Sequence, residues 1–109
     1  MIRKKRHRWE SMRTEETRVV EKILRETFPN TDAYRYNSAS IRVRIIDPRF
    51  HGKSNEQRDA MVEPLLDHLP KDTQADIMNL ITLSPEEAAE SAGNFLVNAE
   101  FEEPSKSML

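Results

Sequence analysis

The chain has 109 residues, 37% of them hydrophobic and 33% charged, a length that supports one modest core rather than two. With no cysteine it has no disulfide, thiolate metal site or thiol chemistry of its own. No apolar run approaches bilayer length, and the basic N-terminus lacks the apolar stretch and cleavage site of a secretory signal. A cytoplasmic protein with no membrane contact is the expectation.

The formal net charge of −2 is unevenly divided: residues 1–58 carry 15 Lys/Arg against 8 Asp/Glu, and residues 59–109 carry 2 against 11. Either the two halves neutralise each other in the fold, or a basic surface meets nucleic acid or an acidic protein.

In chain order, residues 1–13 read as a basic flexible arm holding one aromatic, Trp9. Thr14 or Ser11 caps a first helix running to about Phe28, with Val20, Ile23, Leu24 and Phe28 as its buried stripe and Pro29 as its stop. Two alternating strands follow, residues 33–36 and 41–45, joined by a hairpin-like Asn37-Ser38-Ala39-Ser40. Ile41, Val43 and Ile45 share one face, and Arg42 and Arg44 the other. Either Tyr34 and Tyr36 or Arg35 join the arginine face, but not both.

The polar loop DPRFHGKSNEQRD, residues 47–59, poses the main chemical question. Gly52-Lys53-Ser54 resembles the end of a phosphate-binding loop, yet the glycine needed four residues earlier is Asp47, and Pro48 removes an amide. Ser54 and Gln57 fit a capping box instead. The loop therefore launches a second helix that buries Met61, Val62, Leu65, Leu66 and Leu69, kinked or split at Pro64. Ile77 to Leu83, apolar on both faces, suits a central third strand. Ser84-Pro85-Glu86-Glu87 starts a short last helix ending near Gly93, and residues 100–109 read as an acidic disordered tail. Residues 14–99 then form one α+β domain in the order α-β-β-α-β-α, a small three-stranded sheet packed on helices.

The spacing Asp47, Phe50, Gly52, Lys53, Ser54, Arg58 before a helix, with a helix and hairpin upstream and Ser84-Pro85-Glu86-Glu87 downstream, resembles the BolA-like proteins over about residues 19–88. The resemblance implies a KH-related fold and a non-enzymatic role in iron–sulfur trafficking with monothiol glutaredoxins or in transcription control. It also implies a docking surface on the loop and second helix, here Phe50, His51, Lys53, Arg58 and Met61. The family's histidine after the loop arginine is Asp59 here. Asp76 and the Asn37–Ser40 connection stand where its cluster-binding members supply histidine or cysteine, so no cluster ligand carries over.

The three histidines, His7, His51 and His68, make no pair at metal spacing, so no metal or cofactor is expected. Asp59 and Asp76 approaching each other at a sheet edge would give a carboxylate pair, but nothing in the sequence separates their pKa values for catalysis. Two functions remain. Arg3, Lys4, Lys5, Arg6, Arg8 and Trp9 on the arm, with Arg42 and Arg44 on the sheet, would bind nucleic acid. Alternatively Phe50, His51, Lys53 and Arg58 would engage a protein partner.

Overall fold

The computed structural model describes residues 8–89 and Phe101. They form an α+β fold: α1 (Glu15–Arg25), β1 (Thr31–Asn37), β2 (Ser40–Ile46), α2 (Asn55–Leu66), α3 (Lys71–Asp76), β3 (Ile77–Leu83) and α4 (Pro85–Ala89), with 3-10 turns at Arg8–Met12 and Pro48–Phe50. The tail expected from Glu100 and the end of the last helix lie largely outside the described residues.

Helix α1 begins at Thr14. The Thr17 amide donates to the Thr14 hydroxyl oxygen at 3.3 Å, and the Thr14 amide to Thr17 Oγ1 at 2.8 Å, a reciprocal cap in which threonine takes the place of the usual glutamate. The regular helix ends at Arg25, earlier than the apolar spacing suggests. Phe28 still completes the buried stripe with Val20 and Leu24.

The hairpin pairs Tyr34 with Arg42 and Asp32 with Arg44, antiparallel, and the Asn37 carboxamide accepts from the Ala39 amide at 2.9 Å to close its turn. β3 then pairs with β2 in parallel, giving the order β1-β2-β3. The central strand is β2, not β3 as the apolar run suggested. β3 is apolar on two sides because both faces of its C-terminal half are covered, which an edge strand can achieve as well as a central one.

A parallel pair needs a long crossover, and α2 and α3 provide it. Ser54 caps α2 reciprocally with Gln57. Pro64 lies in the last turn, where it deletes one hydrogen bond and the helix continues to Leu66. The expected break falls after it, at residues 67–70, and Lys71–Asp76 form a further helix that the sequence did not announce.

Two apolar clusters flank the sheet. On the helix side Val20, Leu24, Phe28, Ala33, Ile41, Val43, Ile45, Phe50, Val62 and Leu69 form the main core. On the other side Trp9, Tyr34, Ile81, Leu83 and Phe101 form a second one. The segment expected to be a free arm therefore returns to the sheet at Trp9, and Phe101 of the expected tail does the same. A chain of this length can bury both faces because the second cluster is small and built mostly from rings.

Gly52, in the loop before α2, holds φ at +73°, a left-handed conformation that a Cβ penalises by about 1–2 kcal/mol. Nothing lies within 4 Å of where that Cβ would stand, so the cost is conformational alone. Gly52→Ala is expected to lower the unfolding free energy by about 1–2 kcal/mol in urea titration, and Gly52→Asn by less, since asparagine tolerates this region.

Candidate functional site

Strand alternation puts Tyr34 and Tyr36 on the arginine face and Arg35 on the helix face. There the Arg35 guanidinium bridges Glu16 at 2.9 Å and Asp76 at 2.8 Å. The position where the resemblance would place a cluster ligand is thus a structural ion pair tying β1 to α1 and to the end of α3.

Arg42 and Arg44 do not present themselves to solvent; each is only 8% exposed. The Arg42 guanidinium lies 3.7 Å from the Tyr36 ring centroid and donates to the Tyr34 hydroxyl at 3.2 Å. Arg44 sits 4.5 Å from the Phe101 centroid and 5.8 Å from that of Trp9, and donates to Asp32 Oδ2 at 3.3 Å. Trp9, 3% exposed, meets Phe101 edge-on at 5.1 Å. The Tyr34 hydroxyl donates to the Phe101 carbonyl, and burial pushes its pKa up despite the opposing Arg42 contact.

The residues proposed for nucleic acid thus divide. Trp9, Arg42 and Arg44 form a closed cation–π cluster, because rings from both ends of the chain cover the face on which they lie. Arg3, Lys4, Lys5 and Arg6 lie outside the described residues, as does the side chain of Arg8.

The loop before α2 is also largely scaffold. Asp47 accepts from the Arg49 amide at 2.9 Å and from Arg49 Nε at 2.8 Å, and this guanidinium outweighs burial and holds its carboxyl below the usual range. Phe50 is fully buried and stacks on Phe28 with centroids 5.3 Å apart. Arg58, 5% exposed, donates to the Lys53 carbonyl at 3.0 Å and to the Thr82 carbonyl at 2.8 Å, and it pairs with Glu87 Oε1 at 2.8 Å. Of the four residues expected to engage a partner, Phe50 and Arg58 hold the loop to the core and to β3, and only His51 and Lys53 are exposed. His51 Nδ1 stands 3.8 Å from Glu86.

A further accessible apolar feature lies elsewhere and was not read from the sequence. A cleft of about 190 Å³ at the hairpin end of the sheet is lined by Tyr36, Ser40, Ile41, Arg42, Met78 and Asn79. The β2–β3 register slips between Ile41↔Ile77 and Arg42↔Asn79, so Met78 is an extra, bulged residue. Its side chain is 70% exposed, the most of any large hydrophobic residue described. Bulges at sheet edges commonly re-aim a side chain in this way. The signal available in the sequence was the uncharged run IMNLITL, but the slip depends on pairing with β2.

Among the described residues no group of three or more His, Asp or Glu is placed to hold a metal ion, and no helix is long and apolar enough to cross a membrane. No family model, curated protein or solved structure significantly matches the chain. The resemblance to BolA-like proteins rests on the order and spacing of elements and on the loop and helix-start motifs.

Proposed function

We propose that the chain is a small non-enzymatic binding module of BolA-like type whose contact is with another protein, made at the hairpin end of its sheet. The observation that carries this reading is Met78, an apolar side chain held 70% exposed by a bulge at the mouth of a cleft. Exposed methionine suits adaptable protein recognition, and the adjoining Tyr36 is of a residue type that anchors interfaces. The order α-β-β-α-α-β-α, with the Asp47–Arg58 loop opening α2 and Ser84–Glu87 opening α4, supports the BolA-like and KH-related assignment. The reading is closest to that of a protein adaptor without cluster ligands of its own.

Panning a random-peptide display library against the 109-residue chain is expected to enrich apolar extended peptides. Their affinity should fall at least about tenfold for Met78→Asp, the loss of roughly 1.4 kcal/mol. Peptides bound equally well by the variant would sink the cleft as the contact. Binding of single-stranded oligonucleotide that weakens steeply with salt and disappears when Arg3, Lys4, Lys5 and Arg6 become serine would move the function to the basic N-terminal segment. These substitutions leave Trp9, and hence the second core, in place.

A further inference from the structure

We infer that the partner fitted by this edge is a second copy of the chain, joined by antiparallel pairing of the two β3 strands about a two-fold axis at Asn79. The inference rests on the protein-contact reading above and specifies its partner.

A three-stranded sheet has two open edges, and open edges invite pairing unless covered. Among the described residues, side chains cover part of each edge. On β1, Arg25 Nε donates to the Thr31 carbonyl at 2.8 Å and the Glu21 carboxylate accepts from the Ala33 amide at 3.0 Å. On β3, the Asp47 amide donates to the Leu83 carbonyl at 2.9 Å, which fixes that carbonyl toward β2. Backbone groups alternate sides along a strand, so Thr82 and Leu80 face outward. The Thr82 carbonyl is taken by Arg58 at 2.8 Å. Among the described residues nothing engages the outward backbone of Leu80 or of the bulged Met78. On β3 the stretch without such cover among the described residues is Met78–Leu80, which is also where Met78 stands in solvent.

That stretch is bounded by the bulge on one side and Arg58 on the other, which selects both the register and the occupant. Centring two copies on Asn79 places Met78 of each opposite Leu80 of the other. Those two residues exchange both backbone hydrogen bonds, and Thr82 with its Arg58 cover is left undisturbed. A register centred on Leu80 would instead oppose Met78 to Thr82 and compete with Arg58. Asn79 would face its counterpart as a close, non-hydrogen-bonded pair, where each carboxamide can donate to and accept from the other.

A two-fold contact must be self-complementary, and β3 carries no charge, glycine or proline, so nothing repels across the axis. A flexible peptide would have to be ordered to gain a few bonds over so short a stretch, whereas a second β3 arrives already extended. The Met78 side chains would be covered by the partner's Leu80, and the clefts would flank the axis.

The test is the association state of the 109-residue chain by sedimentation over a concentration series, with Asn79→Asp and Asn79→Cys beside the wild type. A dimer is expected whose dissociation constant rises at least tenfold in Asn79→Asp, where two carboxylates meet on the axis. In this cysteine-free chain, Asn79→Cys should form a disulfide-linked dimer under mild oxidation while Thr82→Cys should not. Circular dichroism on each variant separates weakened pairing from misfolding, and the Cys pair reports the register even if Asn79→Asp fails to fold.

A monomer up to about 1 mM, or a dimer indifferent to Asn79→Asp that does not link through position 79, would overturn the inference. If the chain stays monomeric yet panned peptides still require Met78, only the second-copy assignment fails. If the peptides ignore Met78 as well, the protein-contact reading fails with it.

Discussion

Replacing Trp9 with alanine is expected to lower the unfolding free energy by about 3–5 kcal/mol, the range for removing a large aromatic side chain from a packed core. The indole is 3% exposed, stands 5.1 Å from Phe101 and 5.8 Å from Tyr34, and lies under the Arg13 guanidinium at 4.8 Å. Its loss would also strip one ring from the pocket that holds Arg44. Trp9→Phe should cost less than half as much. It keeps ring contacts and removes Nε1, a buried donor without a hydrogen-bond partner among the described residues, whose burial is itself unfavourable.

Urea titration followed by far-ultraviolet circular dichroism checks both variants. A Trp9→Ala loss below about 1 kcal/mol, the ordinary effect of a substitution at an undemanding site, would place the indole outside the folded core. A chain shortened to start at Thr14 should behave like Trp9→Ala. Lost binding after such a truncation would therefore say nothing about the basic residues before it.

The second large effect is expected at Arg58. Alanine there leaves the Thr82 and Lys53 carbonyls without the guanidinium, and Glu87 without its cation. Breaking a buried, hydrogen-bonded ion pair from one side costs about 3–5 kcal/mol, and the partial exposure of Glu87 puts Arg58→Ala at the lower end. Arg58→Lys should recover less than half, because a single ammonium cannot reproduce the fork that spans these acceptors. A lysine variant as stable as wild type would reduce Arg58 to a point charge.

The same contact has a pH signature. Burial pushes the Glu87 carboxyl up, but the Ser84 amide and the Arg58 guanidinium together bring it below its ordinary value of 4.5. A carboxylate with a depressed folded pKa contributes stability that is complete above its unfolded value and lost as the pH falls through the folded one. Stability should therefore drop below about pH 4.5, and the drop should be shallower in Glu87→Gln. Unfolding midpoints measured between about pH 3 and pH 7 decide this. An unchanged acid dependence in the variant would assign the loss to other carboxylates, of which Asp47, also depressed by its Arg49 partner, is the nearest candidate.

Several elements were legible because their causes are local. Thr14, Ser54 and Ser84 each cap a helix start where a polar side chain can satisfy amides three residues on. Ile77–Leu83 is a strand over the whole apolar run. The six residues of α3 were not legible because they bury only Thr73 and carry no apolar stripe. At the candidate site, alternation correctly separated Arg42 and Arg44 from the core valine and isoleucines. It could not say what lies above them, since Tyr34 and Phe101 meet across 67 residues of sequence.

The sequence by itself determined where α1, α2 and α4 begin, which residues share a strand face, and that the Gly52 loop launches a helix. Those properties follow from side-chain capping, backbone sterics and the two structural periods, all of which act within a few residues. Only the tertiary structure decided that β2 is central, that the arginine face is closed by Trp9 and Phe101, and that Arg58 covers one end of the β3 edge while Met78 stands open at the other. Each of these depends on which distant segments pack together, because a cation buried under rings and a cation in water have the same local sequence pattern, and only the neighbours brought by the fold distinguish them.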